Sequence, residues 1–227
     1  TGVLDMDKKK ISWTDKLQEM AKKGASLQQS EQARIIHYRP FNKQFTYMAD
    51  SPLVHRPYQQ PKLFPDNGLS NVALITSERG PFITNVYPDL ELMHHGQCFP
   101  LYWYERGGDL GGLFASTDVQ RGEYVRHDAI TDEALEVFRS VYPNAFGGGK
   151  GPPIDQAKAD GLPSKIANSN ERFDVNKIDI FYYVYGILHS PEYRSRFEAN
   201  LQKELPRIPL SRNFREFCAA GRALAKL

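Results

Sequence analysis

Gly149-Lys150 is the first place in this 227-residue chain to look for a phosphate loop. Such a loop needs a glycine five positions earlier, so that backbone N–H groups cradle the phosphates, and a Ser or Thr after the lysine to hold a metal ion. Here those positions are Asn144 and Gly151, so the loop chemistry is missing. Asp132-Glu133 resembles the acidic pair of an ATPase, but no hydrophobic strand leads into it. Two acids directly after Thr131 suit the first turn of a capped helix, where the helix dipole favours negative charge. His94 and His95 are adjacent, would point to opposite sides of an extended segment, and have no Cys/His pair at zinc spacing to join them. Glu-x-Lys occurs nowhere, which removes the usual metal-dependent nuclease pattern. Gly151-Pro152-Pro153-Ile154 lacks the Asn and the aromatic residue with which adenine methyltransferases hold a flipped base. No nucleophile, metal cluster or cofactor loop stands out.

What remains is polar and aromatic. In Tyr38-Arg-Pro-Phe-Asn-Lys-Gln-Phe-Thr-Tyr47, amides and cations gather at a predicted turn, where side chains reach a groove. Asn42, Lys43 and Gln44 are candidate base readers, since a glutamine suits the adenine edge and a lysine the guanine edge. Arg39, Arg56, Arg79, Lys150 and Lys165 are candidate phosphate contacts. The competing reading makes this turn a sheet corner, with Tyr38, Phe41, Phe45 and Tyr47 packed and Arg39 in an internal ion pair.

The elements that must carry these residues follow from periodicity. Ser12 to Lys23 reads as a short helix with Trp13, Leu17 and Met20 on one face, starting in a capping box of Ser12 and Asp15. Arg34 to Met48, broken near Pro40, reads as two strands, followed by strands at Val72–Ser77, Phe82–Val86 and Cys98–Tyr104. Thr131 caps a helix that turns Leu135, Phe138 and Val141 inward and stops at Pro143. The stretch from Gly147 to Asn176 has little periodicity and reads as a flexible loop. Next comes a helix with Ile178, Phe181, Tyr182, Tyr185 and Leu188 on one face. Ser190-Pro191 restarts a helix carrying Tyr193, Phe197 and Leu201. Leu205-Pro-Arg-Ile-Pro209 must be extended, and a last helix starts at Asn213, with Glu216 as its capping partner and Phe217, Gly221 and Leu224 inward.

The expected fold is α+β: a mixed or antiparallel sheet region with an N-terminal helix over 1–128, and a mainly helical part over 129–227, in one domain. Composition agrees with a folded protein, at 41% hydrophobic and 25% charged residues. The net charge of +2 does not by itself indicate nucleic acid, although Lys177 to Leu227 holds nine basic residues against five acidic ones. Two distant cysteines, Cys98 and Cys218, suit reduced thiols in the cytoplasm. No apolar run is long enough for a membrane span, and a chain that opens at Thr1 without Met reads as a piece of a longer protein.

Six motifs in order complete the pattern: the Tyr38–Tyr47 stretch, Tyr58-Gln-Gln-Pro-Lys-Leu-Phe-Pro65, Gln97-Cys-Phe-Pro-Leu-Tyr-Trp-Tyr104, Ile130-Thr-Asp-Glu-Ala-Leu135, Asp179-Ile-Phe-Tyr-Tyr-Val-Tyr-Gly-Ile-Leu-His-Ser-Pro-Glu-Tyr-Arg194 and Leu205-Pro-Arg-Ile-Pro209. Together they resemble the C-terminal specificity domain of single-polypeptide type I (type ISP) restriction-modification enzymes and related predicted helicase/DNA methylase proteins. That resemblance implies recognition of an asymmetric sequence in double-stranded DNA by a chain with no catalytic centre or cofactor of its own. The methyltransferase, translocase and nuclease would lie upstream in the same polypeptide, with S-adenosylmethionine, ATP and Mg as their cofactors. The alternative is a docking module for those domains, with DNA read elsewhere.

Overall fold

The computed structural model describes residues 15–24, 33–47, 60–65, 68–77, 79–89, 92–93, 96–106, 124–142 and 175–227. Within them the fold is α+β as expected, with strands in the first half and helices gathered at the end. Helix α1 (Asp15–Lys22) precedes β1 (Ala33–Arg39) and β2 (Asn42–Tyr47), an antiparallel hairpin turning at Pro40-Phe41. After the short helix α2 (Gln60–Leu63) come β3 (Ala73–Ser77), β4 (Gly80–Thr84) and the two-residue β5 (Tyr87–Pro88), which pairs parallel to β1. β3 lies between β4 and β6 (Gln97–Pro100), antiparallel to both, and is buried from Ala73 to Thr76.

The predicted Cys98–Tyr104 strand is two strands, because Leu101 is buried and its N–H turns to the Val72 carbonyl at 2.7 Å. Beyond it β7 (Tyr102–Arg106) pairs with β8 (Tyr124–Asp128), a strand the periodicity did not show. Asn71 holds this junction together. Its amide donates to the Leu63 and Tyr102 carbonyls at 2.7 and 2.8 Å, and its oxygen accepts from the Val72 and Tyr102 N–H groups at 2.8 and 3.1 Å. All four hydrogen-bonding positions of a buried amide are thereby satisfied.

Thr131 caps α3 (Asp132–Val141) as expected, accepting from the Ala134 N–H at 3.2 Å. Val141 points outward rather than into the core, at 46% exposure. The polar stretch ends sooner than predicted, since Val175 is fully buried and Asn176 caps α4 (Lys177–His189) through a reciprocal box with Asp179. Residues 143–174 lie outside the described residues. Helix α4 is buried nearly all round: Ile180, Tyr183 and Ile187 are as deep as the expected Phe181, Tyr185 and Leu188, while Tyr182 is half-buried. Such a helix belongs at the centre of its layer. Ser190 ends α4 and caps α5 (Pro191–Arg196), which runs into α6 (Glu198–Leu201). In α7 (Phe214–Leu224) the predicted capping partnership does not form, because the Asn213 side chain makes no cap hydrogen bond. The deeply buried residues of α7 are Phe214, Cys218 and Gly221, with Phe217 and Leu224 only half-buried.

Pro206 and Pro209 remove two backbone donors from the extended segment before α7, and three tyrosines take up its carbonyls. Tyr193, Tyr183 and Tyr142 donate to Arg207, Pro209 and Ser211 at 2.9, 2.5 and 2.7 Å. Burial, reinforced by the Asp179 carboxylate, pushes the Cys218 thiol up to about 11, so it packs rather than reacts. No helix among the described residues is long and apolar enough to cross a membrane.

Helices α4 and α7 cross backbone against backbone at Gly186 and Gly221. A Cβ on Gly186 would collide with the Phe217 carbonyl, and one on Gly221 with the Tyr182 carbonyl. Gly186→Ala is expected to destabilise the fold by roughly 3 kcal/mol, the upper end for overpacking. At Gly68 a Cβ meets nothing within 4 Å. Gly68→Ala should therefore stay within about 0.5 kcal/mol. Urea midpoints at unchanged slope measure both, and equal midpoints for the two variants would disprove the crossing as a constraint.

Candidate nucleic-acid interface

β1 and β2 pair in register from Ala33↔Tyr47 to His37↔Lys43 and shift by one residue before Arg39↔Asn42, which leaves Tyr38 as a bulge. Pro40 and Phe41 make the two-residue turn, with Pro at its usual corner. Phe41 follows at φ 69°, in the left-handed region, and is 99% exposed. Among the described residues β2 is one of the two edge strands of its sheet, the other being the two-residue β5.

Asn42, Lys43 and Gln44 are all exposed, but they lie on β2 rather than at the turn. Alternation along a strand puts Asn42 and Gln44 on one face and Lys43 and Phe45 on the other, so the three cannot address one groove floor together. Arg39 is engaged within the protein. Its guanidinium lies 4.3 Å from the Tyr38 ring centre, donates to the Tyr38 carbonyl at 2.8 Å and stands 3.7 Å from the Asp89 carboxylate. This matches the internal ion pair of the sheet-corner reading, yet Phe41 and Phe45 are exposed, at 99% and 77%, where that reading has them packed.

Arg79 sits exposed in the tight turn between β3 and β4, next to Gly80 at φ 123°. A Cβ on Gly80 would stand 3.0 Å from the Arg194 guanidinium, so α5 brings a second arginine to this turn from the far end of the chain. Arg194 was not among the sequence candidates. Its signal was faint, since nothing in the helical motif distinguishes it from other helix cations; in the structure it is half-buried. Arg56, Lys150 and Lys165 lie outside the described residues, as do His94, His95 and the whole stretch 107–123 between β7 and β8.

Other cations serve the fold. Arg34 donates to the Phe64 and Pro65 carbonyls at 2.6 and 2.5 Å. Lys177 bridges Asp128 and Asp132 at 2.8 and 2.7 Å, and Arg222 reaches Asp179 at 2.8 Å. Lys43, Arg79 and Arg194 have no carboxylate partner among the described residues.

His37 ties the hairpin to the second sheet. It is buried, its Nδ1 lies 3.1 Å from the Thr84 hydroxyl, and its ring meets Phe82 edge-on at 5.0 Å. The Thr84 hydroxyl donates to the Val86 carbonyl at 3.0 Å, which leaves His37 Nδ1–H as the donor. Burial first, and the Lys43 charge across the ladder second, hold His37 below its ordinary 6.5.

A family model described as the Type ISP C-terminal specificity domain matches residues 3–227. Among solved structures, this chain is similar to one in the cryoEM structure of a DrdV–DNA complex, at 26% identity and TM-score 0.69, covering 98% of this chain and 18% of that one. It is similar to the ATP-dependent Type ISP restriction-modification enzyme LlaBIII bound to DNA, at 25% identity and TM-score 0.66, covering 98% and 13%. The fold is also that of part of a nuclease-deletion mutant of LlaGI in complex with a DNA substrate mimic, at 23% identity and TM-score 0.63, covering 98% and 16%. The chain thus spans less than a fifth of each of these proteins. No curated protein sequence matches it.

Because His37 is held below 6.5, its neutral form stabilises the fold fully above that pH, and the contribution is lost as pH falls from 6.5 through the lowered value. Urea midpoints should therefore drop between pH 7.5 and 5, and less steeply in His37→Gln. Identical pH slopes for the variant and the parent would refute the assignment.

Proposed function

Since the chain belongs to the Type ISP C-terminal specificity domain family, we propose that it recognises an asymmetric sequence in duplex DNA on behalf of a methyltransferase, translocase and nuclease carried elsewhere in its polypeptide. It is itself non-catalytic. S-adenosylmethionine, ATP and Mg belong to those other parts, and the whole enzyme works in the cytoplasm. The observation that carries this reading is the β1–β2 ribbon, an exposed edge hairpin bearing amide and ammonium side chains, in a fold whose relatives are seen bound to DNA. A major groove admits a two-stranded ribbon, and alternate residues of one face then meet base edges.

In this arrangement either Gln44 with Asn42, or Lys43, faces the bases. Lys43→Ala and Gln44→Ala should therefore differ: one relaxes choice at a base pair by roughly 1–3 kcal/mol, and the other leaves sequence preference alone. Selection of duplexes from a random pool reads this out, and two variants that both keep the parent's preference would move base reading off the hairpin.

Arg79 and Arg194, together at the β3–β4 turn, hold phosphates. Arg79→Gln and Arg194→Gln should each weaken binding to all sequences and reduce the slope of log K against log salt by about 1. A binding constant that does not depend on salt would favour the second reading, a docking module. That reading draws on Val137 and Val141, which are 51% and 46% exposed on α3.

A further inference from the structure

We propose that Phe41 is a wedge that inserts between neighbouring base pairs of the bound duplex and stacks on an exposed base. The inference rests on the DNA reading above and goes beyond it, because base-edge contacts from β2 need no side chain at the tip of the ribbon.

Two independent features set Phe41 apart. It is 99% exposed, the most solvent-accessible aromatic side chain among the exposed large hydrophobics. It also holds φ 69° at the turn corner where glycine or asparagine is the ordinary choice, and it is the sole described non-glycine residue at positive φ. A bulky residue at such a position gains nothing for the fold from its ring, which packs against nothing, and it strains the backbone besides. Its surroundings match nucleic acid. From Ala33 to Tyr47 the hairpin has not one Asp or Glu; Arg34 and Arg39 are held by the protein, and Lys43, two residues from Phe41, has no carboxylate partner among the described residues. Apolar side chains delivered by cationic elements enter base steps and unstack them, and base–aromatic stacking is tolerant of sequence. The one-residue bulge at Tyr38 increases local twist and bends the tip away from the ribbon below it.

Phe41→Gly separates binding from folding, because glycine relieves the positive φ and should melt no lower than the parent. On a duplex selected from the random pool, this variant should bind roughly ten-fold more weakly. Phe41→Trp supplies a direct reporter: its exposed indole emission, after subtraction of the parent's Trp13 and Trp103 signal, should be quenched when that duplex is added and restored by high salt. Both results are required. Unchanged affinity in Phe41→Gly, or unquenched emission in Phe41→Trp, rejects the wedge while leaving DNA recognition in place. If the parent chain enriches and binds no duplex at all, the DNA reading falls and the wedge with it.

Discussion

The close approach of α4 and α7 at Gly186 and Gly221 is the constraint on which the rest of the helical half depends. With a Cβ at neither position, the two backbones come together until Asp179, at the start of α4, reaches Arg222 near the end of α7 at 2.8 Å. The same approach lets Tyr183, fully buried on α4, bond both the Pro209 carbonyl and the Ser211 N–H in the segment that delivers α7. Helix α4 also packs on β4, and Ser190 is both its C-cap and the N-cap of α5. The position of Arg194 beside the β3–β4 turn is thus a distant consequence of two missing side chains.

Charge is sorted by the same packing. A cation removed from water needs a partner, and Arg34, Lys177 and Arg222 have carbonyls or carboxylates for theirs. The partner of Arg222, Asp179, is buried and is also half of the α4 capping box, so one carboxylate serves a helix start and a helix–helix contact. Lys43 lies on the hairpin, and Arg79 and Arg194 meet at the β3–β4 turn. A net charge of +2 conceals this arrangement, because what attracts a phosphate backbone is the local potential rather than the total.

An exposed edge strand ordinarily invites pairing with another chain, and here Lys43 and the Tyr38 bulge blunt β2 against it. Devices that protect an edge also suit a ribbon meant to enter a groove: charge, twist and a tip clear of the core. His37 anchors that ribbon from beneath, between Thr84 and Phe82, so the hairpin is held at its base and presented at its end.

The amino-acid sequence by itself determined the α+β class, the β1–β2 hairpin, the Thr131 and Ser190 caps, the extended proline segment and the family, because each rests on neighbours in the chain: alternation, a capping oxygen, a missing donor, a run of ordered motifs. The tip of the hairpin was visible as a cluster of amides, cations and aromatics, but not which of them face together. That is decided by strand register, which moved Asn42, Lys43 and Gln44 from a turn onto alternating faces. An internal ion pair for Arg39 was one of two readings, but not its partner Asp89; Leu101 breaking one predicted strand into two and Arg194 arriving next to Arg79 were illegible. Each joins residues far apart in the chain or depends on burial supplied by another element. Only tertiary packing could bring these partners together, because the free energy that selects them is gained when water leaves surfaces that are not neighbours in sequence.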